Sequence, residues 1–118
     1  ISHKDSFPSR KAHLVQIVHE ISKALKEAGN TSIRFDPPIP EVSMVHVYLD
    51  PTATMTIVDT VASHTGIKVC NNLRNGKYGA SKEVYFELNI GPNNIAIPME
   101  SWIRGYMELA QKLQRDNR

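Results

Sequence analysis

"PEVSMVHVYLDPTATMTIVDTVASHTGIKV" (residues 40–69) decides the fold, because its hydrophobic period changes twice. Its first part, "VSMVHVYL" (42–49), is dense in β-branched and aromatic residues and predicts a strand. Alternation sets Val45, Val47 and Leu49 on one face and Met44, His46 and Tyr48 on the other. Asp50-Pro51-Thr52 predicts a helix start, with Asp50 as N-cap and Pro51 in the first helical position. Ile57, Val58, Val61 and Ala62 form that helix's apolar face, and Gly66 closes it. "IKVCNNL" (67–73) reads as another strand.

Upstream, a helix begins near Pro8 and carries an apolar stripe of Leu14, Val18, Ile21, Leu25 and Ala28, ending at Gly29-Asn30. "TSIRF" (31–35) is a short strand, and the three prolines of "DPPIPE" (36–41) exclude both helix and central strand. Downstream, "RNGKYGASKE" (74–83) is a glycine-containing connection, "VYFELNIG" (84–91) a strand, and "NIAI" (94–97) a short link. The last helix starts at Pro98 with Trp102, Tyr106, Leu109 and Leu113 on one stripe. The order αββαββα predicts an α+β fold of two layers, a mostly antiparallel sheet of about four strands covered by three helices. No repeat, low-complexity tract or internal boundary divides it, so residues 1–118 form a single domain.

At 118 residues, 41% hydrophobic and 22% charged, the composition is that of an ordinary globular domain. A net charge of +2, without a basic cluster interleaved with aromatics, points away from nucleic acid. No apolar run is long enough to span a membrane, and there is no secretory leader pattern. Cys70 is the only cysteine, which excludes an internal disulfide and favours a reduced, cytoplasmic setting. Ile1 is an unusual natural start, which suggests a short cloning scar or, preferably, a piece cut from a longer protein.

The residues carry no complete catalytic motif. His3, His13, His19, His46 and His64 lack metal-binding spacing, so no metal is expected. His13 and His19 lie on different sides of the first helix and read as surface residues; His46 reads as packed or half-exposed. Cys70 reads as a buried structural thiol. Neither a nucleophile elbow nor a phosphate loop is present. Arg74, Lys77 and Tyr78 share a glycine-flanked stretch that is either a carboxylate-binding loop or a solvated turn. Glu87 faces away from Phe86 and Leu88, toward either solvent or a cleft.

The run of a long helix, "FDPPIPEVSMVHVYL", a helix ending "HTGIKV", "VYFELNIG" and a helix from "IPMESWIRGY" resembles the C-terminal small domain of fold-type I pyridoxal-phosphate enzymes. The threonine aldolase and β-eliminating lyase family is the nearest likeness, over roughly residues 8–115. The resemblance implies a cap domain of a lyase that converts a β-hydroxy amino acid to glycine and an aldehyde. It implies a partner large domain that supplies the cofactor lysine, so catalytic residues and bound pyridoxal phosphate are expected in the parent and not in this chain, which alone should be inactive. Family members carry an Asn before the first small-domain strand, where this chain has Ser43, and a carboxylate-binding Arg on the strand matching 84–91, where it has Tyr85 and Glu87. Arg74 on the preceding stretch is the available substitute. The substrate-binding candidates are therefore Arg74, Tyr85, Glu87 and Ser43.

The alternatives are a standalone α+β small-ligand module and a protein-interaction domain using a strand edge. A cap cut from a larger enzyme should expose an apolar face, expected at Val15 and Ile17 on the first helix and at Ile39, with self-association into a homo-oligomer as a consequence.

Overall fold

Two helix ends and one buried side chain set the layout. The computed structural model describes residues 7–70, 72–75, 84–91 and 96–116. Helix α1 (Phe7–Glu27) stops where Gly29 takes φ +65°, with Gly29 N–H donating to Lys26 O and Asn30 N–H to Leu25 O. Asn30 is buried, and its Nδ2 donates to the carbonyl of Ala110 at 3.0 Å. Its Oδ1 accepts from Ser32 N at 2.9 Å, so the chain enters β1 (Ile33–Asp36) already fixed against the last helix.

β1 pairs antiparallel with β2 (Met44–Leu49), and β2 with β4 (Val84–Asn89). The two-residue β3 (Arg74–Asn75) pairs with β4 on its other side, giving the order β1-β2-β4-β3. Three full antiparallel strands and a short edge pairing thus make the sheet. Helices α1, α2 (Met55–Thr65) and α3 (Met99–Asp116) complete an α+β fold. Val45, Val47, Leu49, Phe86 and Leu88 are buried in one core with Leu14, Ile21 and Leu109 of the helices. The alternation read from 42–49 holds, with Met44, His46 and Tyr48 half-buried on the other face.

Four expectations need correction. Helix α2 starts at Thr54, whose Oγ1 accepts from Ile57 N at 3.2 Å, and not at Asp50. Asp50 Oδ1 instead accepts from Thr52 N and Thr52 Oγ1, and its carbonyl accepts from Ala53 N. That local turn uses the capping groups of Asp50 before a helix can begin. Gly66 does close α2, at φ +78°.

The strand expected over 67–73 is not formed. Among the described residues from 67 to 75, only Arg74 and Asn75 pair with β4. The cause is α3: a Cβ at Gly105 would lie 2.6 Å from Ile67 Cγ2 and 3.3 Å from Val69 Cγ1. Ile67 and Val69 fill the notch in the helix, which fixes this segment against α3.

Ile17 is fully buried, because α1 packs on α3 as well as on the sheet and needs a wider stripe than Leu14, Val18, Ile21 and Leu25 alone. Val15 is half-buried, while Ile39 is 72% and Val42 47% exposed. His13, expected at the surface, is half-buried beside this wider stripe.

Gly105→Ala tests the notch. Alanine favours a helix by about 1 kcal/mol over glycine, but overpacking a tight contact costs about 1–3 kcal/mol. The expected outcome is net destabilisation, read as a lower urea midpoint with unchanged m; a raised midpoint would show that segment 67–70 yields.

Candidate functional site

The sheet face away from the helices carries the polar chemistry. Side chains two apart on one strand share a face, so Tyr85, Glu87 and Asn89 of β4 line up beside His46 and Tyr48 of β2. Register sets Arg34, Tyr48, Tyr85 and Arg74 in one row across the sheet and Asp36, His46 and Glu87 in the next.

The first row is an aromatic bridge. The Arg34 guanidinium lies 4.3 Å from the Tyr48 ring centroid, and the Tyr48 and Tyr85 centroids are 5.5 Å apart. His46 closes over Tyr85 at 5.6 Å, leaving Tyr85 only 7% exposed. In the second row His46 Nε2 sits 3.4 Å from Glu87 Oε2, both side chains 36% exposed. The imidazole holds the carboxylate from the β2 side.

On the other side of β4, where β3 begins only at Arg74, there is an opening. A cavity of about 250 Å³ is bordered by Asn72, Arg74, Phe86, Glu87 and Asn89. A smaller one of about 180 Å³ adjoins it through Glu87 and Asn89 and reaches Cys70 and Trp102. Trp102 Nε1 is buried without a hydrogen-bond partner among the described groups. A cationic and an anionic side chain facing one small opening suit a ligand bearing both charges.

The structure brings together two of the four sequence-chosen residues, Arg74 and Glu87. Tyr85 is Arg74's cross-strand partner, but its ring is packed under His46 and does not border the cavity. Ser43 lies beyond the far end of the β2–β4 ladder, where its carbonyl accepts from Ile90 N. Lys77 and Tyr78 lie outside the described residues. Asn72 and Asn89 were missed. Asn89 was legible as the next same-face position after Glu87, whereas Asn72 required knowing that the 67–73 stretch leaves the sheet.

Among the described residues no lysine borders the larger of these two cavities to form an imine with a cofactor aldehyde, and Lys68 borders the smaller. These residues do not fit pyridoxal phosphate on their own. Among the described residues there is no group of three or more His, Cys, Asp or Glu placed to hold a metal ion, and no helix is long and apolar enough to cross a membrane.

No protein-family model matches this chain, and no curated protein matches it by sequence. Among solved structures, the crystal structure of a "putative L-allo-threonine aldolase" from Listeria monocytogenes is similar over 83% of this chain, with a TM-score of 0.57 and 17% sequence identity. The shared property is the fold. This chain spans 27% of the length of the Listeria protein.

Burial perturbs His13, Cys70 and Tyr106. Burial holds His13 below its ordinary 6.5, with Nε2 unpartnered among the described groups. Burial pushes the Cys70 thiol up to about 11 from 9.0, opposed weakly by Lys68, and pushes the Tyr106 phenol above its ordinary 10.0. A lowered histidine contributes stability above its unfolded value that is lost as pH falls through its folded one. A raised thiol or phenol contributes stability below its unfolded value that is lost as pH rises toward its folded one. Melting temperature should therefore plateau between about pH 7 and 8.5 and fall on both sides. At pH 8 the thiolate fraction of native Cys70 is roughly a hundredfold below that of the unfolded chain, so iodoacetamide should label the folded protein far more slowly. Equal labelling rates would show Cys70 to be open to water.

Proposed function

We propose that this chain is the cap domain of a pyridoxal-phosphate-dependent amino-acid lyase resembling threonine aldolase, whose parent reaction converts a β-hydroxy amino acid to glycine and an aldehyde. The observation that carries the reading is the fold likeness to the Listeria protein over 83% of this chain but 27% of the other. A cap accounts for an open sheet face that carries a small two-charge cavity bordered, among the described residues, by no lysine.

On this reading the cofactor and its lysine belong to a large domain outside this chain, and the chain alone has no lyase activity. Arg74 takes the substrate carboxylate in place of the strand arginine found in the family. Glu87, oriented by His46, sits beside it and either receives the substrate ammonium or selects a substrate with a second cationic group. Tyr85 packs under His46 on the same face as Glu87, and Ser43 extends the ladder at its end. The second reading, a standalone module for a small zwitterion, draws on the same cavity.

Size and cofactor separate the two. An antibody raised to this chain should detect, in the source cells, a protein several times heavier than 13.3 kDa. Purified, that protein should show a pyridoxal absorbance and release glycine from a β-hydroxy amino acid. In it, Arg74→Ala should raise KM by roughly tenfold or more with a smaller change in kcat, as loss of a charge-assisted pair predicts. A native species of 13.3 kDa without the cofactor sinks the lyase reading and leaves the module.

A further inference from the structure

Among the described residues the sheet ends at β1, which has β2 on one side and no strand on the other. Ser32 O accepts from Asp50 N at 2.9 Å, so these two residues face each other as a hydrogen-bonded pair. The β1–β2 register carries the same pattern to Arg34 with Tyr48 and Asp36 with His46. The backbone N–H and C=O of Ile33 and Phe35 therefore point the other way, to the open edge. Side chains divide differently: Ile33 and Phe35 are buried toward the core, while Arg34 and Asp36 stand exposed on the outer face. Pro37 has no N–H and ends the run of edge donors.

We propose that this edge pairs antiparallel with β1 of a second copy of the chain, about a twofold axis through Phe35. Phe35 then exchanges two backbone hydrogen bonds with its symmetry mate. Arg34 lies opposite Asp36 of the second copy, and Asp36 opposite Arg34. Charge selects this register. An axis through Arg34 sets guanidinium against guanidinium, and one through Asp36 sets carboxylate against carboxylate. An axis through Ile33 places Arg34 opposite Ser32 and brings no opposite charges together across the pairing. Edge strands with charges of one sign resist self-pairing. Here opposite charges flank one apolar residue, so pairing brings two favourable cross-strand contacts.

Nearby surface fits the same occupant. Ile39 and Val42, the exposed large apolar side chains among the described residues, lie on the connection that leaves this edge. An open groove of about 630 Å³ bordered by Leu25, Ile33, Phe35 and Pro38 runs beside it. A second copy would cover apolar surface that the chain leaves in water. The pairing is independent of the lyase reading.

Sedimentation equilibrium on the 118-residue chain reads it directly. A reversible dimer is expected, with Arg34→Glu raising its dissociation constant about tenfold or more and the double exchange Arg34→Asp, Asp36→Arg restoring it. Geometry has its own readout. Arg34 and Asp36 of the two copies would form a non-hydrogen-bonded pair with Cα atoms about 4.5 Å apart, within disulfide reach. Mixing Arg34→Cys with Asp36→Cys under oxidation should yield a linked dimer that neither variant forms alone. Cys70, being buried, does not compete. A 13.3 kDa monomer at every concentration overturns the proposal and leaves the edge to a different chain. A dimer indifferent to Arg34→Glu, or cross-linked as readily by one variant alone, overturns it as well.

Discussion

One buried amide holds three elements in register. Asn30 ends α1, begins the approach to β1 and bonds to a carbonyl in the middle of α3. Ser32 adds its own weaker bond to the same carbonyl at 3.3 Å. A buried amide without partners costs about 1–3 kcal/mol, so these bonds strongly penalise any other placement of the α1–β1 corner. Because β1 enters from that corner, its pairing with β2 and the orientation of the outer face follow from it. The apolar stripes of α1 and α3 supply most of the burial, but apolar contacts are non-directional. The amide supplies the direction.

The outer face shows how a one-sided sheet manages without a second layer of helices. Tyr48, Tyr85 and His46 bring apolar bulk with polar tips, and Arg34 lies across the end of the row. Tyr85 is thereby nearly dry, though no helix covers it. The arrangement tolerates water, and it also presents a flat, polarised surface to anything docked on it. Both the cap reading and the module reading need such a surface, which is why the face alone does not choose between them.

The periodic elements were legible because their period is a property of the chain itself. Val45, Val47 and Leu49 alternate, and Trp102, Tyr106, Leu109 and Leu113 repeat with the helical turn, whatever surrounds them. The failures share one cause. Asp50 looks like an N-cap, but a turn already uses its oxygens. The stretch 67–73 looks like a strand, but its apolar side chains find a better partner in the notch at Gly105. Ile17 looks outward-facing until α3 lies against it. In each case a tertiary contact outcompeted a local preference, and single-chain periodicity carries no record of such contacts. The site was half legible for the same reason: Glu87 follows from alternation, whereas the opening beside it exists only because 67–73 departs from β4.

That departure also governs what the opening can do. Glu87 sits on an inner strand, paired to β2 and oriented by His46. Arg74 sits on a two-residue edge strand, held by two residue pairs. The anion is therefore the better-fixed half of the site and the cation the more yielding one. On the proposed reading, a ligand spanning Arg74 and Glu87 would tie the edge strand to the sheet's interior. Binding and ordering of β3 would then be a single equilibrium, with part of the binding energy consumed in fixing Arg74. A rigid arginine in the middle of β4 would bind a carboxylate more tightly. On the same reading, the arrangement gives up that affinity for a pairing that would form only when both charges of the ligand are present, which is a route to selectivity.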